Sequence, residues 1–325
     1  MVVDNIDDII KEQLNYTLNE TEFSDLGKLY RGKVRDNYIK EEKRIIIATD
    51  RLSAFDRVIT TIPFKGQMLN QVSSYWFDKT KKIVKNHIID VPDPNVSVVH
   101  QCETIPVEVI VRGYLTGSMW RDYNKGKPTS GILPPPGMKK NQKFDEIIVT
   151  PSTKAELGHD IYLSKEEILK QGIVDKNLYE QMEDAALKLF KFGQSYCEKN
   201  GLILVDTKYE FGLKEGELMV IDEIHTQDSS RFWILDTYDK KFGKGDDPDI
   251  LDKEIFRGWL MENYPNIFPD IKPDEDIPPI SEDIKIELSK RYMRSYKKIT
   301  GEEFKAQISD VKKRIYENLK DAHYL

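Results

Sequence analysis

Cysteine is nearly absent from this sequence: Cys102 and Cys197 are the only two. That is too few for a disulfide framework, so a reducing cytoplasm is the expected setting. No apolar run is long enough to span a bilayer. The opening MVVDNIDDII is acidic, where a secretory signal needs a basic start and an apolar stretch. Membrane association is not expected. An excess of basic charge is lacking too. The 49 Lys and Arg against 56 Asp and Glu leave a formal charge of −7, which disfavours a nucleic-acid binder. Any anionic ligand must be met by a local basic pocket. Also missing are the glycine spacings of a P-loop or dinucleotide fingerprint and the H-R-D-x-x-x-x-N and D-F-G runs of protein kinases.

What is present suits a large globular chain. The 325 residues suggest about two domains or one large one, and 39% hydrophobic with 32% charged residues is ordinary. Ile6–Leu18 reads as a short amphipathic helix and Arg44–Asp50 (RIIIATD) as a strand. Gly66–Lys82 carries Met68, Leu69, Val72, Tyr75, Trp76 and Lys79 at helical spacing. Ile105–Arg112 (IPVEVIVR) is another strand, followed by a helix capped by Ser118, and PTSGILPPPG must be loop. Ser164 and Glu167 form a capping box. Asp175 caps a longer helix running to about Asn200, stopped by Gly201. Tyr264–Ile280 is proline-rich and extended, and helical patterns at Glu282–Lys298 and Glu302–Leu319 finish the chain. The order is α+β rather than a regular βα alternation.

LYRGKVRDNY (Leu29–Tyr38) reads as strand–turn–strand. In extended chain Arg31, Lys33 and Arg35 share one side, and Gly32 would let backbone approach a ligand closely. Such a flap could cover phosphates, as the glycine-rich strand loop of kinases does. A solvated basic strand face is the alternative, so the segment needs a partner site.

Leu202–Trp233 supplies it. Val205, Thr207, Tyr209 and Phe211 alternate with Asp206, Lys208 and Glu210, giving one apolar and one charged face. A three-residue loop, Lys214-Glu215-Gly216, pairs Leu213 with Glu217 and sets Lys208 opposite Asp222. Asp206 and Glu210 then lie diagonal to Asp222; a two-residue loop would flip Asp222 away. Two carboxylates about 5 Å apart at an effective dielectric near 20 repel by about 3 kcal/mol, which a divalent cation would relieve. Mg²⁺ prefers one or two carboxylates completed by phosphate oxygens and water. Asp228-Ser229-Ser230-Arg231 suits a phosphomonoester, and Arg112 to Ser118 repeats that chemistry beside a helix start. A charged hairpin face usually meets water, and each Arg–Ser pair alone is equally an N-cap with a surface ion pair. Together they propose a Mg²⁺–nucleotide site with a second anion site.

LYRGKVRDNY, ATDRLSAFDRVI, PFKGQMLNQVS, VEVIVRGYLTGSMW, TPSTKAELGHD, LVDTKYEFG and IDEIHTQDSSRFW are present in this order. In them the chain resembles the SAICAR synthetase (phosphoribosylaminoimidazole-succinocarboxamide synthase) family, from about Leu26 to Trp233. Gln227 departs from it, since many relatives have proline there. The resemblance implies an α+β fold of two lobes, antiparallel sheets with flanking helices, an ATP cleft between the lobes and a helical C-terminal tail. Residues 1–105 would form an N-terminal lobe with the flap, and 106–325 a larger lobe with substrate and metal site and the tail. It implies a ligase that uses ATP and Mg²⁺ to join L-aspartate to the carboxylate of CAIR (carboxyaminoimidazole ribonucleotide). Gly32, Lys33 and Arg35 would belong to the phosphate flap, with Lys154 near the nucleotide. Glu210 and Asp222 would hold Mg²⁺, and Lys208 and Asp206 would be the catalytic groups. Arg112, Ser118, Ser230 and Arg231 would bind the ribose-phosphate of CAIR, with Ser53, Asp56 and Asp160 near the substrate. His159 and His225 are read as structural. The long form resembles monomeric members more than short oligomeric ones. A kinase and a non-catalytic nucleotide-binding module are the rival classes.

Overall fold

The computed structural model describes residues 5–153, 161–251, 253–272 and 275–325. Lys154, His159 and Asp160 lie outside the described residues. In chain order the elements begin with α1 (Ile6–Gln13), β1 (Lys28–Arg31), β2 (Arg35–Lys40), β3 (Lys43–Ala48), β4 (Arg51–Ala54), β5 (Arg57–Thr61) and α2 (Lys65–Thr80). Then come β6 (Lys85–Asn86), β7 (Ile88–Asp93), β8 (Val96–His100), β9 (Glu103–Tyr114), α3 (Gly117–Asn124), β10 (Lys143–Thr153) and β11 (Ile161–Tyr162). The rest are α4 (Lys165–Lys170), α5 (Lys176–Lys199), β12 (Leu202–Lys214), β13 (Glu217–Ile221), β14 (Ser230–Ile234), α6 (Leu235–Lys244), α7 (Glu254–Asn263), α8 (Glu282–Thr300) and α9 (Val311–Asp321). The expected mixture of helices and antiparallel sheets is present. Among the described residues no helix is long and apolar enough to cross a membrane.

The chain forms two compact units, one of residues up to 75, 88–101 and from 251 on, the other of 76–87 and 102–250. This is not the expected division at residue 105, because the helical tail belongs with the N-terminal sheet. Val311, Ile315 and Leu319, one stripe of α9, pack among Leu18, Phe23, Tyr38, Ile45, Ile47, Val96 and Val98. Arg314 adds ion-pair contacts to buried Asp93 at 2.9 Å and 3.2 Å. The stripe is legible in sequence, but which core it covers is not.

In the first unit β1-β2-β3-β8-β7 make an antiparallel sheet, and β4 and β5 a separate hairpin. The segment between β3 and β4 carries Asp50, whose carboxylate accepts the Leu18 N–H at 2.7 Å and the Gly66 N–H at 2.9 Å. Burial raises its pKa from 3.8 to about 6, against the opposing pull of those two bonds and of Lys65 and Arg314. Since the folded state holds this proton more tightly, the contribution is fully present below about pH 4 and is lost as pH rises through about 6. The expected loss is about 3 kcal/mol. Urea unfolding of the wild type and Asp50→Asn at about pH 4 and about pH 7 checks this. The wild type's advantage should shrink by that amount; a constant difference would refute it.

The second unit is built on the sheet β11-β10-β9-β12-β13-β6, with β14 also paired to β12. Helix α5 packs on β12, β9 and β10. Its buried residues Tyr179, Met182, Ala186, Leu189, Phe190, Gly193 and Cys197 form one helical stripe, and Asp175 caps its start through the Leu178 N–H at 3.0 Å. The Ser164–Glu167 capping box is present. Three expectations change. The first residue of α3 is Gly117 and its N-cap is Thr116, not Ser118. The last helix starts at Val311, since 302–310 is irregular. The β12–β13 loop has two residues: Lys214 pairs with Glu217 and Glu210 with Ile221. Glu215 and Gly216, with φ of 54° and 80°, both sit in the left-handed region of a type I′ turn. A glutamate there is uncommon, so the turn chemistry pointed to the longer loop.

Candidate active site

Strand β12 lies between β9 on one side and β13 and β14 on the other, so these four strands bring their side chains together. Asp206 is opposite both Arg112 of β9 and Arg231 of β14. Both guanidiniums reach the same Asp206 Oδ2, Arg231 at 2.5 Å and Arg112 at 3.4 Å. Arg112 also donates to Thr150 Oγ1 at 2.8 Å and to Ser118 Oγ at 3.5 Å, and Ser118 shares a 2.9 Å hydrogen bond with Tyr162. Ser230 is opposite Thr207 and shares a 2.7 Å hydrogen bond with its hydroxyl. Three predicted residues, Arg112, Ser118 and Arg231, thus gather at or next to one carboxylate, whereas Ser230, bonded to Thr207, lies on the other face of β12. Gly117 allows this approach: its φ is +58°, and a Cβ there would stand 2.6 Å from the Arg231 guanidinium.

Two residues along β12, a step of about 7 Å, the charges reverse. Lys208 Nζ donates to Glu108 Oε1 at 2.6 Å and to Glu210 Oε1 at 2.7 Å, and Glu108 and Glu210 are direct cross-strand partners. Burial disfavours the Lys208 charge, but Glu210, Glu108 and Asp222 outweigh it and hold the pKa well above the ordinary lysine value. Asp206, Glu210, Glu108 and Arg112 are all buried. The charged face is therefore no solvated surface.

The observed register would turn Asp222 away from this face, yet its charge acts on Lys208. The reason is local: β13 ends at Ile221 and Asp222 adopts φ 65°, which breaks the alternation. The expected position opposite Lys208 is wrong, but the carboxylate's influence there is retained. Glu108 was missed. Its signal lies in VEVIVR, where it shares a strand face with Arg112.

The loop after β13 is organised by Thr226, whose Oγ1 donates to Glu223 Oε2 at 2.5 Å and accepts the Asp228 and Ser229 N–H groups at 3.3 Å and 3.2 Å. Gln227 is buried within it. His225 is buried against Trp76, shares a 2.6 Å hydrogen bond with Tyr209 OH, and is lowered to about 3 by burial, so it is neutral.

In the first unit Gly32, Lys33 and Val34 form the turn between β1 and β2. Lys33 pairs with Asp56, at the tip of the β4–β5 hairpin, and Arg35 opens β2 opposite Ala48. Ser53 lies in β4, opposite Val58. Strand–turn–strand is thus the structure of LYRGKVRDNY.

Among the described residues no group of three or more His, Cys, Asp and Glu side chains is placed to hold a metal ion. The Glu108–Glu210 pair offers hard oxygen donors around a position already held by a cation, which fits an open Mg²⁺ site finished by phosphate and water.

Comparison with known proteins agrees with this geometry. The family model for SAICAR synthetase matches residues 28–270. A phosphoribosylaminoimidazole-succinocarboxamide synthase of Bacteroides thetaiotaomicron is 48% identical over 309 residues, 93% of this chain and 97% of that protein. The Legionella pneumophila (strain Paris) protein of the same name is 43% identical, over 89% and 92% of the two chains. Among solved structures, SAICAR synthase from Saccharomyces cerevisiae complexed with SAICAR superposes with a TM-score of 0.76 at 33% identity, over 89% of this chain and 99% of that one. A SAICAR synthetase in complex with ADP gives 0.65 at 25% identity, over 86% and 100%. With a model match over most of its length and relatives this similar, the chain belongs to the SAICAR synthetase family, the ATP-dependent ligases of purine biosynthesis.

Proposed function

We propose that this chain joins L-aspartate to the carboxylate of CAIR, converting ATP to ADP and phosphate and yielding SAICAR. The observation that carries the reading is the pair of oppositely biased, largely buried clusters on one face of β12: two arginines on Asp206, and the buried Glu108 and Glu210 carboxylates on Lys208. The complexes of relatives with SAICAR and with ADP support it.

A carboxylate is a poor electrophile and must be activated. In the proposed sequence a CAIR carboxylate oxygen attacks the γ-phosphorus of ATP, the bond to the ADP oxygen breaks, and an acyl phosphate forms. The aspartate amine then attacks the carbonyl carbon, the C–O bond to phosphate breaks, and the amine loses a proton. Arg112, Arg231, Ser118 and Ser230 bind the CAIR phosphate, and Asp206 keeps the two guanidiniums aligned. Ser53 and Asp56 contact CAIR, as Asp160 does in the segment outside the described residues. Gly32, Lys33 and Arg35 bind the nucleotide phosphates, and Lys154, outside the described residues, is assigned to the nucleotide as well. Lys208 holds its ammonium toward the reacting oxygens, where its raised pKa keeps it charged. Glu210 and Asp222, with Glu108, would hold Mg²⁺, which supplies charge neutralisation of the triphosphate when bound. A monomer in a reducing cytoplasm is the proposed form, consistent with both thiols being free and buried.

Incubation with ATP, Mg²⁺, CAIR and aspartate should sustain ADP release only when CAIR and aspartate are both present, with SAICAR as product. Aspartate-independent ADP release with a stable phosphorylated product would make the protein a kinase instead. In Glu210→Gln the Mg²⁺ concentration for half-maximal turnover should rise about tenfold, with the KM for CAIR moving less than about twofold. Unchanged Mg²⁺ dependence would exclude Glu210 as a ligand.

A further inference from the structure

A turn that presents N–H groups to an anion must have its carbonyls held elsewhere. Peptide units are planar and trans, so a carbonyl and the N–H that follows it point in opposite directions. Arg51, the first residue of β4 and 4% exposed, takes hold of the β1–β2 turn. Its Nη2 donates to the Gly32 carbonyl and its Nε to the Lys33 carbonyl, each at 3.0 Å. The same side chain donates to the Asn19 carbonyl and to Asp36 Oδ1, the latter at 2.8 Å. Asp36 is fully buried, accepts the Thr21 N–H at 2.6 Å, and supplies the countercharge that lets a guanidinium be buried here. Thr49 secures the third carbonyl, Val34, through its N–H at 3.0 Å and its Oγ1 at 2.8 Å.

We propose that Arg51 is the positioning residue of the phosphate flap: by drawing the Gly32 and Lys33 carbonyls to itself, it turns the Lys33 and Val34 N–H groups the opposite way, toward a triphosphate. This deepens the flap reading and rests on it. Within DRLSAFD, Ser53 and Asp56 have proposed roles toward CAIR, whereas the Arg51 guanidinium is taken up by the Gly32, Lys33 and Asn19 carbonyls and by Asp36. Its fixed fork of five donors serves four acceptors at once, and a lysine ammonium with three donors cannot.

The test uses the full chain and three variants, with steady-state kinetics, calorimetric ADP binding and thermal melting. Arg51→Lys should raise the KM for ATP and weaken ADP binding by about tenfold or more, with the constants for CAIR and aspartate moving less than about twofold. Thr49→Val, which loses only the hydroxyl bond, should move the same two constants by about threefold. A lowered melting temperature with unchanged nucleotide constants, or an equal shift in all three KM values, would overturn the proposal. Should Arg51→Lys fail to fold, unaltered ATP and ADP constants in Thr49→Val would overturn it alone. Lys33→Ala separates the two levels. If it leaves nucleotide binding unchanged, the Lys33 side chain drops out of the flap, and if Arg51→Lys also leaves binding unchanged, the flap reading itself fails. If it weakens binding while Arg51→Lys does not, the flap stands and the role of Arg51 falls.

Discussion

Lys208→Met should lower kcat by about 10²–10³-fold, the size expected for removing one preorganised charge from a reaction that develops negative charge. It should also change stability in a pH-dependent way. Glu108 and Glu210 are buried and directly opposite each other, and Lys208 bonds to both. Without that ammonium, holding both carboxylates ionised becomes costly, by about 3–5 kcal/mol for a broken buried ion pair. Their folded pKa values then rise above those of the unfolded chain. The variant should therefore be closest to wild type in acid and should lose stability as pH rises through the raised values. Added Mg²⁺ should restore part of the lost melting temperature in Lys208→Met and do less for the wild type. Equal responses to Mg²⁺ would show that these carboxylates are not where the metal binds. A kcat within about threefold of wild type would remove Lys208 from the chemistry.

The second large effect is expected at Arg231. Replacing it with alanine should raise the KM for CAIR by about 100-fold, the loss of a bidentate charge-assisted contact, with kcat reduced far less. Arg112 would remain tied to Asp206, so the fold should survive. Gly117→Ala should move the same constant in the same direction, because its new Cβ would collide with the guanidinium 2.6 Å away. The left-handed backbone at Gly117 adds strain to that variant, about 1–2 kcal/mol. An effect confined to the KM for aspartate would mean that the wrong anion has been assigned to Arg231. Unchanged CAIR kinetics in both variants would remove the phosphate role from this end of β12.

Much of the site was legible one strand at a time. Period-2 alternation in LVDTKYEFG placed Asp206, Lys208 and Glu210 on one face, and the structure keeps them there. The Arg112–Ser118 and Ser230–Arg231 segments suggested anion chemistry because arginine and hydroxyl types recur there, and the structure brings Arg112 and Arg231 together at Asp206. What was misjudged was relational. The β12–β13 register depended on a single loop residue, and Glu215 in the left-handed region carries no strong local signal. Asp222 lies just past the end of β13 at a positive φ, and its charge helps raise the Lys208 pKa without strand pairing. Glu108 needed the β9–β12 register before its neighbour could be named.

By itself the sequence determined strands such as β1–β3, β9, β12 and β13, the helix caps at Ser164 and Asp175, and the family, because those depend on residues close in the chain: alternation, capping residues, and motifs in a fixed order. Tertiary structure alone decided which charges meet. Asp206 between Arg112 and Arg231, Glu108 against Glu210, Arg51 beneath the flap and α9 against the N-terminal sheet all join residues distant in sequence. Burial is also a property of the packed chain, and only burial turns a row of ordinary ion pairs into a preorganised site, since charges removed from water interact far more strongly than the same charges on a solvated face.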